Sequence, residues 1–368
     1  MSDLAAVKAL QESNAQLPVS WYFEERIAAL EKRLLFDAGP GYVGHELMVP
    51  EVGDYHSLNW SGDSHVLVRN PSGVQLLSNV CRHRQATVLK GRGNAKAMVC
   101  PLHRWTYGLD GKLLGAPHFP TRPCLDLARV QIEAWNSLLF RGPRSPTLDL
   151  ATLGCLGDLS FEGYIFDRVE VTEYKFNWKT FIEVYLEDYH VEPFHPGLSN
   201  FVDCGHLRWE MGDWYSVQTV PVNRGLKRAG SPVYGRWQEQ VLKQSNGEIP
   251  RHGAIWMVYY PNIMIEWYPQ VLVVSTVVPR GPEACTNIVE FYFPEEIALF
   301  ERDYVQAERQ AYIETAVEDE VICLRMTEGR RALYRQGLNE VGPYQSPTED
   351  GMRHFHEFLH RHLDSHLA

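Results

Sequence analysis

The sequence has 368 residues, of which 45% are hydrophobic and 22% charged, as expected of a folded protein with two or three domains. The net charge of −11 argues against a nucleic-acid partner, because no basic excess is available to neutralise phosphates. No apolar stretch approaches the roughly 18 residues of a membrane span, and the first residues do not resemble a signal peptide. Seven scattered cysteines favour a reducing cytoplasm over a disulfide framework.

The first half of the chain predicts one helix followed by a small β domain. Residues 21–35 place Ile27, Leu30 and Leu34 at helical spacing, which predicts an amphipathic helix. From about residue 40 to 170, short runs such as HVLVRN and SLLFRG are broken by turns such as NPSG and LDGK. This texture is typical of antiparallel strands.

The second half predicts a mixture of helices and strands. Residues 172–192 look helical, and the helix should stop at Pro193 and Pro196 because proline removes a hydrogen-bond donor. Strand candidates between about 205 and 295 are YSVQTVPV, IWMVYY, VLVVSTVV and NIVEFYF. Residues 295–336 and the tail GMRHFHEFLHRHL are helical in character. The expected fold class is α+β, with a small antiparallel β domain inserted into a larger α+β domain.

The segment CRHRQATVLKGRGNAKAMVCPLHRW carries two compact pairs of metal-binding side chains. Cys81 and His83 form a Cys-x-His pair, and Cys100 and His103 form a Cys-x-x-His pair. Thiolates and imidazoles that converge suit a transition metal, and structural zinc is one reading of two Cys and two His. The order Cys-His then Cys-His favours iron, because two loops can supply two thiolates to one iron and two imidazoles to the other. That division of ligands is the one found in a Rieske [2Fe–2S] centre.

These residues carry a resemblance to a known family. NVCRHR and CPLHRWTYGLDGKLLGAP resemble the signature of Rieske non-haem iron oxygenases, in which a tight loop after each ligand pair shields the cluster. The family usually has Gly directly after the second His, where this chain has Arg104. This departure leaves the ligand set untouched, but it bears on cluster shielding and on the docking of a redox partner.

A second motif, NWKTFIEVYLEDYHVEPFH, contains His190 and His195 beside several carboxylates. On one continuous helix Glu183, Glu187 and His190 would share a face, and a break near Pro193 would let His195 turn back toward the same point. Two His and one carboxylate form the iron site of non-haem oxygenases; a solvated acidic helix end is the alternative. The segment resembles the family motif N-W-K…(D/E)-x-x-H-x-x-x-x-H, which implies that both histidines bind a mononuclear iron.

The resemblance also implies a carboxylate ligand from a late helix. In AVEDEVICLRMTEG, Asp319 aligns with the family ligand, and Glu318 and Glu320 are adjacent competitors. Neighbouring side chains on a helix point about 100° apart, so only one of the three should face the metal. The alternative for all three is an exposed acidic face.

The family places an acidic residue three positions before the first iron-binding histidine, which here is Glu187. The resemblance implies that Glu187 joins a cluster histidine of one subunit to an iron histidine of the next, and such carboxylates fix imidazole orientation. Asp188 is the alternative for this role, although it would lie on a different helix face. Glu183 is expected either to contact the ligands from behind or to be a helix-surface charge.

The resemblance covers nearly the whole chain and implies a domain plan. It assigns residues 1–40 to a helical segment packing on the catalytic domain, 41–165 to the Rieske domain, and 166–368 to a helix-grip-like catalytic domain with a central antiparallel sheet flanked by helices. It further implies one [2Fe–2S] cluster, one Fe(II), dioxygen as co-substrate and a head-to-tail homotrimer. Since the chain shows no G-x-G-x-x-G between a strand and a helix and no plant-type ferredoxin cysteines, a separate NAD(P)H-dependent reductase, with or without a ferredoxin, should supply electrons.

The sequence leaves the substrate open. Glu187 and the short chain slightly favour oxidation or demethylation of a quaternary amine over hydroxylation of an aromatic ring. A Rieske electron carrier or a structural zinc protein would leave the second motif without a use. Aromatic side chains near the expected pocket could cage an ammonium, stack on a ring or fill the core. These candidates are Trp209, Trp214, Tyr215, Trp256, Tyr259, Trp267 and Tyr268.

Overall fold

The computed structural model describes residues 16–62, 64–223, 226 and 228–367. The chain forms two compact units: one is Ala38–Leu148, and the other joins the described residues up to Asp37 with those from Asp149 onward. The functional division into residues 1–40, 41–165 and 166–368 stays a prediction, and its first fifteen residues lie outside the described part.

The described residues of the first unit build three antiparallel sheets, as the alternation of short apolar runs and turns predicts. The strand orders are β5-β2-β3-β4-β9, β6-β7-β8 and β1-β11-β10. Strands β1–β11 are Tyr42–His45, Asp54–Ser57, His65–Asn70, Gly73–Ser78, Arg92–Asn94, Met98–Val99, Thr106–Tyr107, Leu113–Gly115, Arg129–Val130, Glu133–Trp135 and Leu138–Phe140. Buried side chains of β3, β4, β6 and β7 form a core that also contains Cys81 and Cys100. The cysteines of the first motif are therefore held by packed strands on both sides.

The second unit is built on a seven-stranded antiparallel sheet of the described chain, in the order β12-β18-β17-β16-β15-β14-β13. Strands β12–β18 are Tyr164–Tyr174, Arg208–Gly212, Tyr215–Val220, Ala254–Tyr259, Ile263–Tyr268, Val271–Gly281 and Ala284–Pro294. Sequential strands from β13 to β18 pair with one another, and β12 closes the far edge against β18. The expected α+β architecture with a central antiparallel sheet is confirmed.

Helices cover this sheet. The α-helices α1–α9 are Glu25–Glu31, Pro146–Asp149, Trp178–Tyr185, Val191–Phe194, Pro196–Ser199, Pro232–Gln244, Glu295–Phe300, Arg302–Gln336 and Asp350–Leu363. Lys32–Phe36 is a π-helical turn, and Val19–Tyr22, Glu46–Met48, Cys204–His206 and Asp364–His366 are 3₁₀ turns. Buried side chains of α6 and α8 pack with β15, β17 and β18 to form the main core. Within the described part of the chain, no helix has the length and apolar character needed to cross a bilayer.

The helix expected over residues 172–192 is wrong at both ends. The segment up to Tyr174 belongs to β12, whose β-branched residues pair with β18 along its whole length. Helix α3 begins only after Asn177, whose side chain caps it by accepting from the Lys179 N–H, and ends at Tyr185. The following turn is drawn out of helical geometry by a tertiary hydrogen bond from the Asp188 N–H to the Thr348 carbonyl, at 2.9 Å. Sequence periodicity contains no signal of that contact.

Two candidate metal centres

Two loops of the first unit present the Cys and His pairs with the same backbone geometry. In each loop the cysteine N–H donates to the carbonyl five residues later, and the N–H four residues later donates back to the cysteine carbonyl, at 2.8–3.1 Å. These donor–acceptor pairs are Cys81–Ala86, Gln85–Cys81, Cys100–Trp105 and Arg104–Cys100. The repeated hydrogen bonds fix both cysteines in equivalent positions, so the two loops form one paired site.

Within this paired site the two thiols are buried and the two imidazoles lie nearer the surface. The thiols of Cys81 and Cys100 are buried, with 1% of each residue exposed. The rings of His83 and His103 lie nearer the surface, with their Nδ1 atoms 3.1 Å apart. Two buried sulfurs and two outward imidazole nitrogens that meet at one point fit a [2Fe–2S] cluster with one sulfur-bound and one nitrogen-bound iron.

Neighbouring groups support this arrangement. The Tyr107 hydroxyl lies 3.4 Å from the Cys81 Sγ and accepts from the Arg82 N–H at 3.0 Å. The ring of Trp105 stacks on His83 with centroids 5.0 Å apart, and Phe119 packs edge-on against both rings. Hydrogen bonds to cluster sulfurs and aromatic cover are the means by which a protein tunes and shields such a centre.

Arg104 adopts the left-handed backbone conformation, with φ +59°, and Gln85 occupies the equivalent position of the first loop with φ +54°. This explains why glycine is usual after the second histidine, since only glycine enters that region without steric cost. The side chain of Arg104 is exposed, so this charge stands beside the imidazole end of the paired site.

In the second unit, three side chains converge from separate elements. His190 precedes α4, His195 lies between α4 and α5, and Asp319 projects from α8. The Nε2 atoms of the two rings are 3.1 Å apart, and the Asp319 Oδ1 lies 2.9 Å from that of His195 and 3.4 Å from that of His190. All three ligand atoms fall within 4.8 Å of one another. Two imidazoles and one carboxylate at this spacing fit a mononuclear iron with open positions.

Further carboxylates hold both rings from behind. The Glu187 Oε1 lies 2.6 Å from the His190 Nδ1, and the Glu318 Oε2 lies 2.7 Å from the His195 Nδ1. Burial opposes a charged ring, but the carboxylates of Asp319 and Glu187 raise the pKa of His190 to about 10. The group of side chains therefore favours a positive charge at the point where the two Nε2 atoms meet. A carboxylate on Nδ1 also fixes which ring nitrogen carries the proton and leaves Nε2 free as a ligand.

Glu183 does not belong to this group, which overturns both readings that the sequence suggested for it. It is fully buried, and its carboxylate pairs with Arg330 at 2.7 Å and His356 at 2.9 Å and accepts from the Tyr22 hydroxyl. Burial alone would raise its pKa, but these partners hold the pKa of Glu183 at about 2. The shared-face argument fails because the helix ends before Glu187, which reaches His190 through a local turn instead.

Asp188 and Glu320 both line the cavity beside the triad, but neither side chain has a hydrogen bond to its histidines. Asp188 accepts from Gln218 and is 5% exposed, and burial raises its pKa to about 7. Of the two acidic residues considered for the linking role, Glu187 is the one that contacts His190.

A cavity lies between the triad, helix α8 and the inner face of the sheet. Of the seven aromatic candidates, Trp256 and Tyr268 line it, and the other five do not. The lining that sequence reasoning missed includes Tyr185, Tyr234, Trp237, Tyr312, Glu266 and Glu308. A signal for part of this set was present, because Glu308, Tyr312, Thr315 and Asp319 recur every three or four residues along one face of α8.

Comparison with known proteins gives consistent matches. Residues 41–131 match the Rieske [2Fe-2S] domain, and residues 161–365 match the ring hydroxylating alpha subunit (catalytic domain). The chain is 60% identical over 364 residues to putrescine 2-hydroxylase of Ralstonia nicotianae, covering 99% of this chain and 100% of the relative. A putrescine 2-hydroxylase of Bordetella bronchiseptica is 50% identical, with 98% and 87% covered.

Solved structures agree on the fold. A quaternary ammonium Rieske monooxygenase, described in connection with carnitine oxidation by gut microbiota and inter-subunit electron transfer, superposes with a TM-score of 0.77. The superposition covers 96% of each chain at 18% sequence identity, so the likeness extends over both units and concerns their folds.

Proposed function

Because the chain belongs to the Rieske oxygenase alpha-subunit family, we propose that it hydroxylates a small aliphatic amine, with putrescine as the first candidate. The observation that carries this proposal is the 60% identity to a putrescine 2-hydroxylase over essentially the full length of both chains. The cavity supports it, since carboxylates and aromatic rings form much of its lining. A primary diamine replaces the quaternary amine that the sequence slightly favoured.

The protein carries one [2Fe–2S] cluster and one mononuclear iron. We assign the cluster to Cys81, His83, Cys100 and His103, with the sulfurs on one iron and the imidazoles on the other. We assign the mononuclear iron to His190, His195 and Asp319. Convergence of these atoms and the chemistry of the two donor sets support both assignments.

When bound, the metals supply electron transfer and dioxygen activation, and a separate NAD(P)H-dependent reductase provides the electrons. For a monooxygenation, R–H, O₂, two electrons and two protons give R–OH and H₂O. The residues of this chain position the reactants. Glu187 and Glu318 hold the imidazoles in one orientation, and buried aromatic residues such as Phe176 and Phe201 at the cavity wall exclude water from the reacting carbon.

We further propose a homotrimer in which the cluster of one subunit serves the iron of the next. The exposure of His103 supports this, because a partner chain can reach the nitrogen-bound end of the cluster directly. Glu187 is the linking residue in this scheme, bound to His190 on one side. Sedimentation of the iron-loaded protein at several concentrations tests the trimer: a single species with three times the 42.2 kDa chain mass is expected.

We place the protein in the cytoplasm. All seven cysteines are free, and four of them are buried. This composition suits a reducing compartment in which thiols remain available as cluster ligands.

The test of function is a coupled assay. The iron-loaded protein, a surrogate reductase, NADH and ¹⁸O₂ are incubated with 1,4-diaminobutane, γ-butyrobetaine or benzoate, and products are analysed by mass spectrometry. We expect one labelled oxygen in a hydroxylated diamine, with oxygen uptake matched to product. Coupled turnover of the betaine or of benzoate, with none of the diamine, would contradict the proposal.

A further inference from the structure

One part of the cavity is rich in acidic groups that the iron chemistry does not use. Glu266 and Glu308 both line it and are 2% and 3% exposed. Among the described residues that line the cavity there is no lysine or arginine. Two buried carboxylates in an aromatic cavity are costly unless something offsets their charge.

Neither carboxylate of this pair has a hydrogen bond to the iron-binding triad. Glu266, on β16, accepts from the Tyr268 hydroxyl at 2.6 Å and from the Tyr312 hydroxyl at 3.3 Å. On α8, Tyr312 precedes Asp319 by two turns and Glu308 precedes it by three, which is about 16 Å along the helix axis for Glu308. The two carboxyl groups are close enough to influence one another electrostatically. Because they line the same cavity, Glu266 and Glu308 are treated as one acidic subsite, in which Glu266 also lies close enough to Asp319 to interact with it electrostatically.

Two polar atoms at this subsite lack partners. The Oε2 of Glu308 and the hydroxyl of Tyr185 are buried and have no hydrogen-bond partner among the described residues. Arg168 is the cation that lowers the pKa of Glu308, and its Nη1 and Nε pair with Asp167 and Glu170 at 2.7 and 2.8 Å. Its Nη2 is buried and has no hydrogen-bond partner among the described residues, so Arg168 has no hydrogen bond to the Glu308 carboxylate. Buried groups of this kind are normally satisfied, so unpaired ones inside a ligand cavity indicate positions meant for a ligand.

We propose that Glu266, Glu308 and Tyr185 form a subsite for a primary ammonium group, and that this subsite selects primary amines over quaternary ones. The inference rests on the proposed amine hydroxylase function and names the residues that would give it specificity. A primary ammonium carries three N–H donors, which match two carboxylates and one hydroxyl oxygen. A quaternary ammonium has no N–H, so it would leave the same buried acceptors unpaired.

The arrangement also gives a role to the surrounding rings. Tyr268 and Tyr312 hold the Glu266 carboxylate through their hydroxyls, and Trp256 in turn donates to Tyr268 at 2.9 Å. Their ring faces supply apolar contact to the methylene chain of an amine.

Equilibrium binding measurements distinguish loss of amine binding at this subsite from a general loss of activity. Calorimetry on the iron-loaded protein would measure the affinity of butylamine, 1,4-diaminobutane and butyltrimethylammonium for the wild type and for Glu308→Gln and Glu266→Gln. Glu328→Gln, on the exposed side of the same helix, is the matched control. Thermal unfolding of each variant verifies that it is folded.

We expect wild type to bind butylamine at least tenfold more tightly than butyltrimethylammonium. Each subsite variant should weaken primary amines by about tenfold to a hundredfold, the usual cost of a lost charged hydrogen bond, while binding of the quaternary amine changes little. An equal loss of affinity for the primary and the quaternary amine, or no loss of affinity in either variant, would overturn the proposed subsite. Tight binding and turnover of the diamine in that case would leave the amine hydroxylase proposal standing. A wild-type protein that neither binds nor hydroxylates any amine would overturn both.

Discussion

The carboxylate of Glu318 lies 2.7 Å from the Nδ1 of His195. The next residue, Asp319, faces the Nε2 on the other side of the same ring. The ring is thus held between two consecutive acidic residues, Glu318 behind it and Asp319 at 2.9 Å in front. Only one of the adjacent acidic residues was expected to face the metal, because neighbours on a helix diverge by about 100°. The long side chain of Glu318 spans that divergence, so its carboxylate contacts the back of the ring.

Removing the Glu318 carboxylate should weaken iron binding without abolishing it. Glu318→Gln keeps the size of the side chain but loses the charge that fixes the Nδ1 proton, and such changes commonly cost about tenfold to a hundredfold in metal affinity. Competition with an iron chelator measures the change. Glu328→Gln should bind iron as the wild type does, and an unaltered affinity in Glu318→Gln would show that the contact has no part in the metal site.

Asp319→Ala should remove one iron and spare the cluster. Anaerobically purified wild type should contain three irons and two acid-labile sulfides per chain, because one [2Fe–2S] cluster accompanies one mononuclear iron. The variant should retain two irons, two sulfides and the visible absorption of the cluster. Since a mononuclear iron is easily lost in purification, both proteins are counted again after reloading with Fe(II). Three irons in the reloaded variant would remove Asp319 from the ligand set.

Motifs and periodicity anticipated much of this fold. Four of the six strands described between residues 205 and 294 and the helices after residue 295 were expected, because their apolar patterns are long and regular. Strands Arg208–Gly212 and Ile263–Tyr268 were not among the candidates. The turn between Tyr185 and His190 was missed, since a hydrogen bond to Thr348, distant in sequence, decides its shape. Glu266 and Glu308 were missed for a related reason: a buried carboxylate in a strand or helix has no local pattern that separates it from a surface charge.

Glu183→Gln should destabilise the fold while leaving iron content intact. The residue is part of a buried group with Arg330 and His356, and removal of one partner from such a group costs about 3–5 kcal/mol. Chemical denaturation measures the loss, and iron analysis shows that the metal site is kept. Because the pKa of Glu183 is about 2 when folded, below the usual value of 4.5, its stabilisation should be present above pH 4.5 and lost as pH falls toward 2. Loss of iron at unchanged stability would instead return Glu183 to the metal site.

Arg104→Gly should stabilise the cluster loop. The native residue has φ +59°, and a non-glycine residue in that region costs about 1–2 kcal/mol. Part of this gain is offset by the greater freedom of glycine in the unfolded chain, so a net gain of up to about 1 kcal/mol is expected. Chemical denaturation, monitored by loss of the visible absorption of the cluster, measures this gain in stability. Arg82→Gly, at an exposed position of the first loop outside the left-handed region, should be neutral or destabilising; equal gains in both variants would contradict the backbone explanation.

The stability of the protein should depend on pH through Glu308. Burial raises the pKa of its carboxyl to about 8, with Arg168 opposing the shift and Glu266, Glu170 and Asp167 adding to it. In the unfolded chain the same group ionises near pH 4.5. Between those values the folded state binds the extra proton, so stability falls as pH rises from about 4.5 to 8 and then levels off.

Glu308→Gln cannot ionise and should lack this penalty. The variant should therefore melt at a higher temperature than wild type at pH 8, and the difference should shrink toward zero near pH 4.5. Thermal unfolding of both proteins across that range, without amine, measures the difference, and Glu328→Gln should track the wild type because its position is exposed. A difference that stays constant with pH would mean that Glu308 has an ordinary pKa and is compensated by a partner. Adding 1,4-diaminobutane at pH 8 should narrow the gap, since the ammonium stabilises only the carboxylate form in wild type.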